Sequence, residues 1–537
     1  MLVGKSTVEY VFVRGMIYFF SYLGLLCLGY FYLAVAIGGK TWISHPFSIA
    51  IETIGAIEIL FYFFWFLPYR HYLHKQKPLF PAPLSREERK KLFHKSLGTR
   101  SDIDLFIKKW MGEGNVEDVR RENLKEWLLW AVFDREGQPG EDDEELEEYV
   151  TEVENFLGRE IRPGWGPVES IRLNFQPFTI SHRSLVFYLV IGTVDFITSI
   201  TLIFMGFTFY RQPRSKFLRT FPFRPLTLFA PKESASPNMS YFYRPHTSTK
   251  HRPIVFVHGV GIGLAVYIPL FFILPKEIGV LAIEALPVAA RITDASQIST
   301  DLMREAGDII TQQNLTDFVF IGHSYGTLFA KLFLDSPHLS SRMSRIILLD
   351  PVAVLLHLPD VAYNFTRKVP VHANELEIWW GAETDPDIAF TFARRLCWRC
   401  HALWREDLLR YPTTLIVGEK DCLVNAGAIA SYVTKNGPEG DIEMEELRWD
   451  WRDLEVWKGS FGRWVGEGLE LVWFEGYDHG QAVLGKKKLD EIMHVIKTYC
   501  TIGEVKVVDS ASVDGTGVPE SGTAAPYPSM APTEESR

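Results

Sequence analysis

The chain is poor in cysteine. Five residues in 537 (Cys27, Cys397, Cys400, Cys422 and Cys500) are too few and too scattered for a disulfide scaffold. It also lacks a surplus of positive charge: 56 lysines and arginines stand against 66 aspartates and glutamates, a net charge of -10. No nucleic-acid partner is expected on that balance. Internal repeats are missing as well, which sets aside solenoids and propellers. The length is too great for one ordinary core, so a domain of two to three hundred residues with additional parts is expected.

Apolar and aromatic residues are plentiful, and they are concentrated. Three stretches reach the roughly 20 residues needed to cross a bilayer: residues 16–37, 47–67 and 184–209. The first two, separated by a short turn, read as a transmembrane hairpin within residues 1–80. The first is long, lacks a small-x-small cleavage site and is followed at once by a second span, so it is not read as a cleavable signal. Lys5 and Arg14 precede the hairpin and Arg70, Lys75, Lys77, Arg86 and Arg89 follow it, which places both of its ends on the cytosolic side. An integral protein of the endoplasmic reticulum or another internal membrane is expected.

The third stretch carries Asp195, which is costly in lipid unless it faces protein or water. Basic residues flank it on both sides, so it either crosses or dips in and returns. Sequons at Asn238, Asn314 and Asn364 would suit a lumenal domain and weigh little.

Residues 81–182 form a charged helical insert. Leu124, Trp127, Leu128 and Ala131 recur at helical spacing, as do Leu146, Tyr149, Val150, Val153 and Leu157, with Gly158 as a stop. The acidic run 141–145 suits a helix N-terminus. The insert is expected to pack on the main domain; a membrane-surface or partner-binding module is the other reading. Residues 183–236 hold the third apolar stretch and a linker. Residues 504–537, rich in Ser, Gly, Pro and Thr, are expected to be disordered.

From residue 237 to 503 short apolar runs alternate with helix-compatible segments, which predicts a mainly parallel sheet covered on both faces. Within it, Gly322-His323-Ser324-Tyr325-Gly326 follows the apolar run 317–321 and precedes a helical stretch. A strand ending in G-x-S-x-G predicts a tight turn that presents a serine hydroxyl, with glycines where bulk is not tolerated. Upstream, His258-Gly259-Val260-Gly261 follows another strand. Its glycines at 259, 261 and 263 also resemble a dinucleotide loop, but that fingerprint wants its third glycine one residue later, where Leu264 stands. Downstream, Asp350 and Asp421 each follow a strand, and His479 follows the last one.

These features, over residues 239–500, resemble the α/β-hydrolase superfamily, whose order is Ser, then acid, then His. The resemblance implies an α/β-hydrolase fold with a cap at about 352–411, preceded by the transmembrane helices and the helical insert. It makes Ser324 the nucleophile, His479 the base and Asp421 the acid, with Asp350 as the alternative acid. Asp478, adjacent to His479, is read as structural. The backbone N–H groups of Val260 and Tyr325 would form the oxyanion hole. It implies a serine hydrolase of an acyl ester, without metal or cofactor; location beside a membrane makes the ester lipidic. An acyltransferase on the same triad and a non-catalytic scaffold are the alternatives.

Two aromatic inserts remain. Residues 351–411 carry Trp379, Trp380, Phe390, Phe392, Trp398 and Trp404, and residues 441–468 carry Trp449, Trp451, Trp457 and Trp464. They suit either a lipid interface or the cores of the inserts. Cys397-Trp398-Arg399-Cys400-His401 spells a haem-attachment motif. It has no companion ligands in the sequence and is read as adventitious.

Overall fold

A computed structural model describes residues 3–98, 102–434, 464 and 466–502. The expected disordered tail and Trp449, Trp451 and Trp457 lie outside the described residues.

Among the described residues nine strands form one sheet: β1 (Thr208–Arg211), β2 (Lys232–Glu233), β3 (Ser240–Arg244), β4 (Ile254–Val257), β5 (Val280–Glu284), β6 (Phe318–His323), β7 (Met343–Leu349), β8 (Thr413–Gly418) and β9 (Leu469–Phe474). Their order is β2-β1-β3-β5-β4-β6-β7-β8-β9. From β5 to β9 every pairing is parallel, while β3 is antiparallel to both β1 and β5. The parallel strands are nearly unbroken apolar runs because both faces are covered. Alternate residues serve opposite cores: Val255 and Val257 face one, Ile254 and Phe256 the other.

Among the described residues, three helices are long and apolar enough to cross a membrane: Thr7–Ile43 (α1), Pro46–Lys75 and Leu185–Phe204. The second contains α2 (Pro46–Phe61) and α3 (Leu67–Lys75), joined by one π-helical turn. The N-terminus of α1 is closed by a capping box in which Ser6 and Glu9 bond reciprocally. A short turn returns the chain through Pro46 at the first position of α2. The two helices pack closely enough that a Cβ on Gly55 would lie 2.5 Å from Cβ of Cys27.

The insert contains α4 (Arg86–Gly98), α5 (Ile103–Trp110), α6 (Arg121–Ala131) and α7 (Asp143–Leu157), the last ended by Gly158 in the left-handed conformation. Its aromatic core of Trp110, Trp127, Trp130 and Tyr149 is continuous with Ala362 and Trp398 of the segment between β7 and β8.

One boundary differs from the sequence reading. The apolar stretch 184–209 is not one element. The helix α8 (Leu185–Phe204) stops, Gly206 turns at φ +88°, and Thr208 enters the sheet as β1. A buried strand and an apolar helix share one composition, so hydropathy alone runs them together.

Candidate active site

The β6 strand delivers the chain to Ser324 at φ +49°, which costs a non-glycine residue about 1–3 kcal/mol. Close packing holds the turn. A Cβ on Gly322 would lie 2.7 Å from the carbonyl oxygen of Gly326, and a Cβ on Gly326 would lie 2.1 Å from that of Val257. Thr327 Oγ1 donates to the Ser324 carbonyl at 2.6 Å and accepts from Ala353 N at 3.2 Å, tying the turn to the segment after β7.

Beyond β9, His479 places Nε2 2.8 Å from Ser324 Oγ and Nδ1 2.7 Å from Asp421 Oδ2. With Nδ1–H donated to the carboxylate, the Nε2 lone pair faces the serine hydroxyl. The other oxygen of Asp421 accepts from the backbone N–H groups of Leu423 and Val424 at 2.8 and 3.0 Å. Burial pushes the His479 imidazole down, but the charge and hydrogen bond of Asp421 and the charge of Asp350 outweigh it, so its pKa lies above the ordinary value.

The two candidate acids thus have different partners. Asp350, at φ +44° after β7, accepts from Gly480 N at 2.7 Å and lies 3.4 Å from His323 Nε2. Burial pushes its carboxyl up, but His323, His479 and the Gly480 N–H hold it below the usual range. His323 Nδ1 meets Tyr267 OH at 2.6 Å, and Gly259 N–H donates to the same hydroxyl at 2.9 Å. A buried chain therefore runs beneath the serine from the His-Gly loop, through Tyr267, His323 and Asp350, to the loop that carries His479. Sequence reasoning misses it: His323 occupies a variable position of the serine motif, and no spacing pairs it with Tyr267.

Val260 and Tyr325 both line the cavity beside Ser324. The loop of Val260 passes directly over the turn, since a Cβ on Gly259 would lie 3.0 Å from Ser324 Cβ. His258 braces this loop, with Nδ1 2.7 Å from Gly259 O and Nε2 accepting from Ala285 N at 3.0 Å. Asp478 accepts from Cys422 N at 3.0 Å and His479 N at 2.8 Å, and its other oxygen bonds Asn374. It joins the acid loop, the base loop and the overlying segment rather than the imidazole ring.

Asp350, Asp421 and His479 bring ligand atoms within 4.8 Å of one another, a grouping able to hold a cation. Both imidazole nitrogens already have partners, Asp421 and Ser324, so the donor set reads better as a proton-transfer pair. Cys397 and Cys400 lie 3.4 Å apart, sulfur to sulfur, but the ring of His401 turns away to Ser299 and the Leu328 carbonyl.

Above the serine lies a cavity of about 360 Å³. Its roof is aromatic and comes from three places: Trp110 and Trp130 of the insert, Phe187 of α8, and Trp380, Phe392 and Trp398 of the segment between β7 and β8. The stripes read from the sequence include Trp127 but neither Trp110 nor Trp130, and nothing in them points to a cavity about 200 residues downstream. A few polar groups interrupt the lining, among them Gln176, Arg367 and Glu383. Burial raises the Glu383 carboxyl to about 8 despite the charge of Arg367.

No protein-family model matches the sequence, and no curated protein matches it. Solved structures do. A bacterial membrane phospholipase A is 14% identical, with 58% of this chain and 93% of that chain covered and a TM-score of 0.36. A carboxylesterase from Bacillus subtilis is 11% identical, with 48% and 87% covered at 0.31. A hydrolase from Pseudomonas aeruginosa PA01 is 17% identical, with 48% and 94% covered at 0.32. The assignment rests on the chain's own topology: a parallel sheet with the order above, helices on both faces, and a serine turn at the end of its central β6. By that architecture the chain has the α/β-hydrolase fold.

Proposed function

We propose that the chain is a membrane-anchored serine hydrolase that cleaves a lipidic acyl ester. The observation that carries the reading is His479 between Ser324 and Asp421, at 2.8 and 2.7 Å, on the floor of an apolar cavity. In this reading His479 Nε2 takes the hydroxyl proton as Ser324 Oγ bonds to the ester carbonyl carbon. The N–H groups of Val260 and Tyr325 receive the negative charge that develops on the carbonyl oxygen. Collapse breaks the bond to the leaving alcohol, which takes the proton from His479. Water then repeats the sequence on the acyl-enzyme, releasing the acid and restoring Ser324. Asp421 holds the productive tautomer and stabilises the imidazolium.

The lipidic acyl group is supported by the aromatic roof and by the three long apolar helices, one of which lends Phe187 and Ile191 to the cavity wall. A fluorophosphonate probe is expected to label the full chain in membranes and to leave Ser324→Ala unlabelled. Absence of labelling in folded wild type would overturn the reading. Lipid profiles of cells carrying wild type against Ser324→Ala then identify the ester.

A further inference from the structure

The third apolar helix, α8, meets the length and hydropathy requirements of a span as well as the other two do, with a mean hydropathy of 2.0. Its surroundings are different. A single stripe, Phe187, Tyr188, Ile191, Thr198, Ser199 and Leu202, is buried along the whole helix, at the spacing of one helical face. Asp195 lies on the same stripe and pairs with Arg224 at 3.1 Å and Arg291 at 2.9 Å, both buried in the catalytic body. The charge that would be costly in lipid faces protein. The opposite face leaves Leu189, Phe196, Ile197 and Phe204 exposed, Phe204 at 87%.

The chain on either side of α8 gives a second, independent argument. A spanning helix puts its two flanking segments on opposite sides of the bilayer. Here those segments are packed on each other. Arg399 Nε bonds Asp134 at 2.7 Å, Lys109 bonds Asp360 at 2.7 Å, and Trp398 Nε1 donates to the Ala131 carbonyl at 3.0 Å. Asn174 Nδ2 donates to the Leu396 carbonyl at 3.0 Å. Each pair joins the insert, before α8, to the segment between β7 and β8, after it. The extreme N-terminus meets the same body, since Asn374 N donates to the Gly4 carbonyl at 3.1 Å.

We propose that α8 does not cross the bilayer. It lies along one leaflet, its polar stripe on the catalytic body and its apolar face in lipid, so that only the α1–α2 hairpin spans and the insert and sheet share one side. The occupant of the exposed face is the bilayer because α8 begins at the hairpin itself. Glu58 of α2 accepts from the N–H groups of Leu185 and Val186 at 2.8 and 2.9 Å, and Ser184 N donates to the Phe20 carbonyl of α1 at 2.9 Å. After α8 the chain exposes Leu218, Phe229 and Phe272, each at least three-quarters accessible, and Arg214 and Arg219 are exposed in the same stretch as Leu218, a composition suited to a surface with acidic headgroups. The placement holds whether or not Ser324 is a nucleophile.

Two measurements on the full chain test it. A site for a sequence-specific protease is inserted after Gly137, before α8, and in a second version after Thr249, beyond it; both are exposed loop positions. In sealed vesicles the two sites are expected to behave alike, cut together or protected together. Cleavage of one with protection of the other means that α8 crosses, and overturns the proposal. For lipid contact, a polarity-sensitive fluorophore is attached at Ile197→Cys or Phe204→Cys, and at Asp308→Cys as an exposed control on the helix Ser299–Gln312, in a Cys400→Ser background. After reconstitution, positions 197 and 204 are expected to be quenched by shallow nitroxide lipids and shielded from iodide. Quenching by iodide equal to that of the control places the face in water and overturns the proposal.

Discussion

The floor of the cavity and its roof are built on opposite plans. The floor comes from the C-terminal ends of β4, β6, β7, β8 and β9, and its polar atoms are bonded in series: Asp421 to two backbone N–H groups, His479 to Asp421, Asp350 to Gly480, Tyr267 to Gly259. The roof comes from three segments far apart in the chain; its cavity side is aromatic, as where Phe365 meets Phe392 with ring centroids 4.7 Å apart, while polar bonds such as Arg399 to Asp134 tie the segments together behind it. A bonded floor tolerates almost no displacement, because a proton transfer needs its groups within hydrogen-bond reach. Under the proposed function, reaction type belongs to the floor and acyl selectivity to the roof.

Variants of the floor test that division first. Ser324→Ala is expected to lower kcat by about 10⁶-fold, read as ester turnover with protein fold checked by circular dichroism. Asp421→Asn keeps the shape but misdirects the His479 tautomer, for a loss of about 10⁴-fold. Asp350→Asn is expected to cost less, about 10–100-fold, the value of a charged hydrogen bond of roughly 1.5–3 kcal/mol to the His479 loop. It also removes one of the charges that raise the His479 pKa. Since the proposed base, His479, can accept a proton only when neutral, the acidic limb of kcat/KM against pH should move to lower pH. A limb that stays in place would show that Asp350 only shapes the loop.

The roof should fail differently. Phe392→Ala removes an apolar wall from a cavity it shares with Tyr325, whose ring centroid is 5.8 Å away. Long-chain esters are expected to lose about tenfold in kcat/KM, the effect of roughly 1–3 kcal/mol of apolar contact, while short esters change little. Equal losses on both would assign Phe392 to the floor.

The same division governs how much the sequence reveals. Floor residues sit at the ends of strands, and strands β4, β8 and β9 are each a short apolar run ended by glycine, histidine or a turn. Ser324, Asp421 and His479 stand where that pattern ends, so their convergence is readable. The Tyr267–His323–Asp350 chain is not, because its members meet only through the parallel order of β4, β6 and β7. The roof is hidden further still. Trp110 and Trp130 belong to no stripe read from the sequence, and α8 presents the hydropathy of a span while one of its faces lies on protein.

Glu383 gives the comparison its smallest and most specific test. It lines the roof, and burial raises its carboxyl to about 8 from an ordinary value near 4.5. Below pH 4.5 the group is neutral whether the chain is folded or not, and it contributes no pH dependence. As pH rises from 4.5 to 8 the unfolded chain releases the proton that the folded chain retains, so the folded state loses relative stability across that window. Above 8 the penalty is complete. Glu383→Gln keeps the shape and removes the charge. Thermal unfolding of variant and wild type should therefore coincide near pH 4.5 and diverge toward pH 8 with the variant more stable, while labelling of Ser324 by the fluorophosphonate probe persists at every pH where wild type labels. A difference in Tm that is constant across the window would mean that Glu383 meets water freely and that the roof is open at that point.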